Sequence, residues 1–146
     1  MPNGIVPIPP PVNEPVRNYG PGSPEKAPLK AKLDEMLADQ IEIPLIIGGK
    51  EVRTGNTAKA VCPHDHNHVL GVYHKAGEAE IQQAVDASQR AWREWSEVPW
   101  EDRAAVMLKA AELLQGPWRD TLNAACMLNQ SKTCLLYTSD AADDRT

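Results

Sequence analysis

The sequence predicts a mixed α/β chain: an extended proline-rich arm, a short helix, a small antiparallel strand hairpin region and three amphipathic helices. Three observations support this prediction. Nine of the thirteen prolines lie in residues 1–28. The pair Gly48-Gly49 separates two short runs that are typical of strands. Apolar residues then recur every three or four positions through residues 77–133, which is the spacing of one helix face.

Residues 1–28 are expected to form an extended arm, because proline-rich chain favours the polyproline conformation and buries too little apolar surface for a core of its own. The segment PIPPPVNEP is also compatible with binding to a proline-recognising domain. We favour an arm that lies across the surface of its own protein.

A short helix is predicted from about residue 28 to residue 39, with Pro24 or Pro28 in its first turn. Residues 41–55, IEIPLIIGGKEVRTG, predict two strands joined at Gly48-Gly49. Two further strands are predicted at residues 58–62 and 69–75. The segment CPHDHNH between them is predicted to be a turn from its Pro, Asp, Asn and His content.

That histidine-rich turn contains residue types that bind zinc, nickel or copper. They are Cys62, His64, His66 and His68. Alternate residues of one loop point in different directions, however, and the chain has no second cluster of ligands. We therefore interpret the segment as a solvated turn and assign no metal-binding residue, with a small metal-binding module as the alternative.

Three amphipathic helices are predicted in residues 77–133, with breaks at Val98-Pro99 and Gly116-Pro117. Gly77 is the expected N-cap of the first helix, Gly116 the expected C′ residue of the second, and Pro117 the expected first residue of the third. The apolar or small faces are Ile81, Ala84, Val85, Ser88, Ala91, Trp92 and Trp95, then Ala104, Met107, Leu108, Ala111 and Leu114, then Leu122, Ala125, Cys126 and Asn129.

Three apolar helix faces of this width can bury one another only in part. The four tryptophans Trp92, Trp95, Trp100 and Trp118 are therefore expected to stay half exposed, which indicates a missing partner surface. The alternatives are a free-standing helical bundle and a helical interaction module.

The composition excludes several functions. The net charge of −5 gives no basic field for nucleic acid or anionic lipid, and no apolar run is long enough to span a bilayer. The first residues lack a basic segment before an apolar core, so no secretory signal is expected. Three cysteines without framework spacing indicate reduced thiols and a cytoplasmic location.

The chain carries none of the motifs GxSxG, GxxxxGK[ST] or HExxH and no glycine-rich dinucleotide fingerprint. Residues 130–133, QSKT, lack the glycines of a phosphate-binding loop. Cys126 is interpreted as small-residue packing on a helix, and nothing positions an oxyanion site beside Cys62. No catalytic and no cofactor-binding residue is assigned.

Residues 134–146, CLLYTSDAADDRT, abandon the helical pattern. The string resembles the translation of a transposon-type sequencing-library adapter, so we expect it to be a disordered artefact and exclude it from reasoning about the fold. On this interpretation the authentic sequence stops near Thr133, and the chain is the beginning of a longer protein.

Several short motifs along the chain occur in one known order. They are VNEPV (12–16), GSPE (22–25), PLIIGG (44–49), DRAA (102–105), LKAA (108–111), LLQGPWR (113–119) and MLNQSKT (127–133). These motifs resemble the N-terminal portion of the aldehyde dehydrogenase superfamily and, within it, the group of delta-1-pyrroline-5-carboxylate dehydrogenases. The resemblance covers residues 7–133 and departs from the pattern at Cys134, where the family would continue into a further helix with acidic residues.

The resemblance implies an α/β parent enzyme, with residues 29–133 as the N-terminal part of its aldehyde dehydrogenase domain. It also implies NAD-dependent oxidation of L-glutamate gamma-semialdehyde to L-glutamate in proline degradation. In such enzymes a cysteine thiolate attacks the aldehyde, and a glutamate assists hydrolysis of the resulting thioester.

The family's catalytic and cofactor-contacting residues lie beyond the end of this chain. The resemblance therefore implies that the fragment is inactive and binds no NAD, with its three helices packed on the cofactor-binding domain of the parent. The parent is expected to act on a small aldehyde and to be a homo-oligomer.

Overall fold

The computed structural model describes residues 9–10 and 12–133, and the predictions made for residues 1–8, 11 and 134–146, including the adapter-like segment, lie outside the described residues. The described part contains four helices and five strands. In chain order they are α1 (Lys26–Ala38), β1 (Ile41–Ile43), β2 (Leu45–Ile47), β3 (Lys50–Val52), β4 (Thr57–Cys62), β5 (Asp65–His74), α2 (Glu78–Glu97), α3 (Trp100–Gln115) and α4 (Arg119–Gln130).

The strands form a three-stranded sheet of order β1-β5-β4 and a separate two-stranded hairpin, β2-β3. Strand β4 pairs with β5 in antiparallel register, while β1 pairs with β5 in parallel register. The antiparallel strand region was predicted. The strand expected before Gly48 is divided at Pro44 into β1 and β2, and the parallel pairing of β1 with β5 was not predicted. The prediction of one turn for the whole CPHDHNH segment is wrong, because β5 already begins at Asp65 and only Pro63 and His64 form the turn.

The hairpin predicted at Gly48-Gly49 is confirmed, with Ile47 opposite Lys50 and Leu45 opposite Val52. Both glycines have positive φ, +57° and +77°, which L-residues with a side chain adopt only at a cost. Pro44 has no backbone N–H to donate and lies between β1 and β2.

The helix breaks lie close to the predicted positions. Helix α2 begins after Gly77, whose N–H donates to the Glu80 carboxylate at 2.7 Å, and α3 begins after Pro99. The expectation that Pro117 opens the third helix is wrong, because residues 116–118 form a turn and α4 starts at Arg119. Gly116, the expected C′ residue, is instead the C-cap of α3, and its φ of −101° is not the left-handed value typical of a C′ glycine.

The buried centre of the described chain lies between α1 and α4. Leu29 of α1 is 3% exposed, and Ala124 and Leu128 of α4 are 0% and 5% exposed. Helix α1 begins at Lys26, slightly before the predicted start near Pro28. Pro28 lies in the first turn of α1, where a backbone N–H has no intrahelical acceptor. Because α4 also contacts β4, it joins α1 to the three-stranded sheet.

The proline-rich arm is attached to α4 by three side chains. The buried Arg119 guanidinium donates to the Pro15 carbonyl at 2.9 Å, and the Asn123 amide donates to the Tyr19 hydroxyl at 2.9 Å. Arg17 and Asp120 form an ion pair at 3.3 Å. The described part of the arm therefore lies along the protein surface, as we favoured from the sequence.

Helices α2 and α3 bury no residue at all. The tryptophans of α2 and α3 remain exposed to solvent: Trp92 is 67% exposed, Trp95 42% and Trp100 48%. Trp118, just before α4, is 54% exposed. The free-standing bundle is wrong for the described residues, since α4 packs mainly on α1 and α2 mainly contacts β2. No helix between residues 12 and 133 is long and apolar enough to cross a bilayer.

The first prediction concerns Gly71, where β1 and β5 approach closely. A Cβ at this position would lie 2.6 Å from the Ile41 backbone oxygen, so Gly71→Ala should lower the free energy of unfolding by about 1–3 kcal/mol. Gly20→Ala is the matched control, because its Cβ would lie 3.4 Å from its nearest neighbour, Asn18 Oδ1. Urea unfolding followed by circular dichroism measures both, and equal midpoints would contradict the prediction.

The second prediction concerns the attachment of the arm. Arg119→Met keeps the apolar stem but removes the donor to the Pro15 carbonyl, a charge-assisted hydrogen bond worth roughly 1.5–3 kcal/mol. Release of the arm should then raise the rate of tryptic cleavage after Arg17 by about tenfold. Arg93→Met on exposed α2 is the control and should leave this rate unchanged. Equal cleavage of the two variants would show that Arg119 does not hold the arm.

Candidate functional site

The structure brings together only part of the histidine-rich segment. Cys62 ends β4 with 1% exposure, and its Sγ lies 3.2 Å from Nε2 and 3.5 Å from Nδ1 of His64. His64 Nδ1 lies 2.8 Å from the Ser131 hydroxyl oxygen. These contacts join the β4–β5 turn to the C-terminal end of α4, where Ser131 has a φ of +53°.

The geometry at Cys62 is that of a packing contact. The sulfur is nearly equidistant from the two ring nitrogens of His64, so it faces the ring between them and is not aligned with a single N–H or lone pair. An activated thiol requires a base aligned with the sulfur and donors for a developing oxyanion. The contact orients the imidazole toward Ser131 without forming such a pair.

The other two histidines of the segment, His66 and His68, lie on β5, which begins directly after the turn. Within residues 12–133, no group of three or more His, Cys, Asp or Glu side chains is placed to hold a metal ion. The donor set that suggested a metal-binding module is thus divided between the turn at His64 and the strand that carries His66 and His68.

A second cluster, which the sequence did not reveal, centres on the buried His74 at the end of β5. Its Nδ1 accepts the backbone N–H groups of Thr54 and Gly55 at 3.0 and 3.2 Å, and its Nε2 lies 2.8 Å from Glu42 Oε1. Because two donors point at Nδ1, the proton resides on Nε2 and is donated to Glu42. His74 therefore fixes the loop after β3 against β1.

Glu42 also accepts a hydrogen bond from Arg53 at 3.3 Å, and Arg53 pairs with Glu51 at 2.7 Å. The hydrogen bond from His74, and then that from Arg53, hold the pKa of Glu42 below its usual 4.5. The pKa of Arg53 is raised, first by its hydrogen bond to Glu51. His74 follows the mostly apolar residues 69–73 and has no partner nearby in sequence, so the sequence gives no signal for this network. Glu42 between Ile41 and Ile43 does indicate a strand with a polar face.

An open groove of about 640 Å³ lies between the α1–α4 pair and the sheet, and we call it the α1–α4 groove. The walls of the groove are mostly apolar. Two carboxylates are the charged groups among its lining residues, which include no Lys, Arg or His. The lining residues are Glu35, Met36, Asp39, Ile41, Ile43, Ala60, Leu70, Gly71, Tyr73, Leu122, Ala125, Cys126, Leu128 and Asn129.

This groove does not fit a dinucleotide cofactor. A pyrophosphate is held by backbone N–H groups at a helix N-terminus or by cationic side chains. The groove instead presents Glu35 and Asp39 at the C-terminal end of α1, where the helix dipole is negative. We therefore assign no step of cofactor chemistry to it.

Residues 51–143 match the Aldehyde dehydrogenase family, and the chain belongs to that family. Within the family it is similar to delta-1-pyrroline-5-carboxylate dehydrogenases. It is 45% identical over 136 residues to the enzyme of that name from Agaricus bisporus, covering 92% of this chain and 25% of the relative. A mitochondrial one from Dictyostelium discoideum is 41% identical over 135 residues, covering 92% and 24%.

Solved structures give the same grouping. The delta-pyrroline-5-carboxylate dehydrogenase from Mycobacterium tuberculosis, also solved bound with NAD, superposes with a TM-score of 0.83 at 40% identity. The superposition covers 86% of this chain and 24% of that one. The chain thus spans about a quarter of the length of the relatives it matches.

The third prediction concerns Glu42. Its pKa is lowered in the fold, so its ionised form stabilises the fold above its unfolded pKa, and this contribution is lost as pH falls below about 4.5 through the lowered pKa. Glu42→Gln should therefore flatten the acid side of the pH profile of the urea midpoint between pH 6 and pH 3.

The control for this prediction is Glu94→Gln. Glu94 is an exposed carboxyl of α2 without an ion pair among the described residues, so its removal should leave the pH profile as in the unchanged chain. Profiles that are identical for the Glu42 variant and the unchanged chain would argue against the His74–Glu42 contact.

Proposed function

We propose that this chain is the N-terminal part of an NAD-dependent dehydrogenase that oxidises L-glutamate gamma-semialdehyde (1-pyrroline-5-carboxylate) to L-glutamate in proline degradation. The observation that carries the proposal is the 136-residue similarity to the Agaricus bisporus enzyme. That length exceeds the family match at residues 51–143, so the similarity includes much of the arm, α1 and the first strands. The support for this substrate thus extends beyond the region common to the family.

The chain's own residues contribute packing and positioning in this proposal. NAD supplies the hydride acceptor when the whole enzyme binds it. Cys62 is packed against His64, and Cys126 lines the α1–α4 groove on α4, so neither is arranged as an activated nucleophile. We place the nucleophile and the base in the part of the enzyme that this chain does not span.

The exposed apolar faces of α2 and α3 are assigned to the cofactor-binding domain of the parent enzyme. Ile81, Trp92 and Met107 are 58%, 67% and 64% exposed, and exposed apolar area on this scale is typical of a surface that another surface covers. The proposal has two further parts. The parent enzyme is a homo-oligomer located in the cytoplasm. Residues 134–146 are the translation of a sequencing-library adapter.

The fourth prediction tests the activity on the source gene. The reading frame that encodes residues 12–133 should continue past codon 133 without adapter sequence. The encoded full-length protein should reduce NAD with L-glutamate gamma-semialdehyde, with kcat/KM at least about a hundredfold above that for acetaldehyde, because a site that pairs the substrate's polar groups rejects analogues that lack them.

The 146-residue chain serves as the control in the same assay and should give no NADH. Preference of the full-length enzyme for another aldehyde would refute the proposed substrate. A genomic reading frame that natively encodes residues 134–146 and then stops would refute the proposed parent enzyme.

A further inference from the structure

The α1–α4 groove is a second unfilled surface, separate from the faces of α2 and α3. One wall is the sheet face, where Ile41, Ile43 and Tyr73 share one side of β1 and β5 and are 49%, 42% and 40% exposed. The opposite wall includes Leu122 of α4, which is 41% exposed. Apolar side chains thus line both walls of the groove and remain open to solvent.

The charges at the rim define what the groove accepts. Both charged lining residues are acidic and lie in or just after the last turn of α1. That last turn contains no basic residue. Glu35 pairs with Lys32 at 2.6 Å, whereas Asp39 has no ion pair among the described residues. A negative helix end beside an unpaired carboxylate favours a cationic group.

The length of the relatives identifies the source of the occupant. In the Mycobacterium tuberculosis enzyme, 86% of this chain superposes on a similar arrangement. The matched region is only 24% of that enzyme's polypeptide. Polypeptide that this chain does not span is therefore attached to the same arrangement in that enzyme, and it is available to cover the groove.

We propose that the α1–α4 groove is the docking site for an apolar segment of the dehydrogenase polypeptide that this chain does not span, with a Lys or Arg of that segment paired with Asp39. The inference rests on the proposed function only in that it requires a parent dehydrogenase. It does not depend on which aldehyde that enzyme oxidises.

The experiment compares the 146-residue chain with a chimera in which residues 12–133 replace the matching region of the Agaricus bisporus enzyme. Cys126 lines the groove and reports on its occupancy. Alkylation of Cys126 by iodoacetamide, followed by peptide-resolved mass spectrometry, should be at least about tenfold slower in the chimera, because a covered thiol reacts only through the open form.

A charge reversal tests the cationic partner. Asp39→Lys should raise Cys126 alkylation in the chimera about fivefold or more and leave it unchanged in the 146-residue chain, since only the chimera contains the occupant. Asp34→Lys is the matched control, because it makes the same charge change on an exposed position of α1 that does not line the groove.

Four outcomes would overturn the proposal. They are equal alkylation of Cys126 in the chain and the chimera, equal effects of the two lysine variants, a chimera that aggregates while the chain stays soluble, and protection within the 146-residue chain itself. Protection lost on dilution would identify a second copy as the occupant, and protection lost on removal of residues 134–146 would identify the chain's own tail. The wrong aldehyde in the activity assay would leave all these results unchanged.

Discussion

The contact between α1 and α4 is the constraint on which the rest of the described structure depends. Leu29 of α1 and Leu128 of α4 are both buried, as is Ala124, whose side chain is small enough for close helix approach. Helix α4 also contacts the arm, β4 and α3. Arg119 and Asn123 hold the arm on one side, and the contact with β4 brings the sheet to the other.

The extent of this buried centre also explains why so much of the chain remains open. Among the described residues only Leu29, Cys62, Ala124 and Leu128 are buried apolar groups, whereas the tryptophans of α2 and α3 are about half exposed. Hydrophobic stabilisation scales with the apolar area removed from water, and ordering the backbone costs about 1–2 kcal/mol per residue. The chain's own contacts therefore determine a local arrangement and leave most of its apolar surface for another partner.

Local chemistry made the helices and the hairpin predictable from sequence. Gly48 and Gly49 supply the positive φ values of a two-residue turn, and the three-four spacing with Pro99 places α2 and α3 to within a residue or two. The family resemblance was carried by such local motifs as well, and it is confirmed by the family match over residues 51–143.

Contacts between distant residues were not predictable. Strand β1 has three alternating residues, but nothing in that pattern identifies a parallel partner thirty positions away. The same holds for His74, whose partners Glu42 and Thr54 come from two other segments. The CPHDHNH segment places several ligand types next to one another in sequence, but among the described residues they do not converge on a site for a metal ion.

The arrangement shared with the longer relatives therefore has an origin other than a large core. Among the described residues, four buried apolar side chains cannot by themselves specify the positions of an arm, four helices and five strands. Specific polar contacts also fix the positions of these elements, because each contact is satisfied in one geometry only. The hydrogen bond from Arg119 to the Pro15 carbonyl positions the arm. His74 is satisfied only when Thr54, Gly55 and Glu42 are all in place. The polar contacts of the described residues thus define the arrangement while the apolar faces stay exposed, as expected for the part of a longer dehydrogenase that we propose.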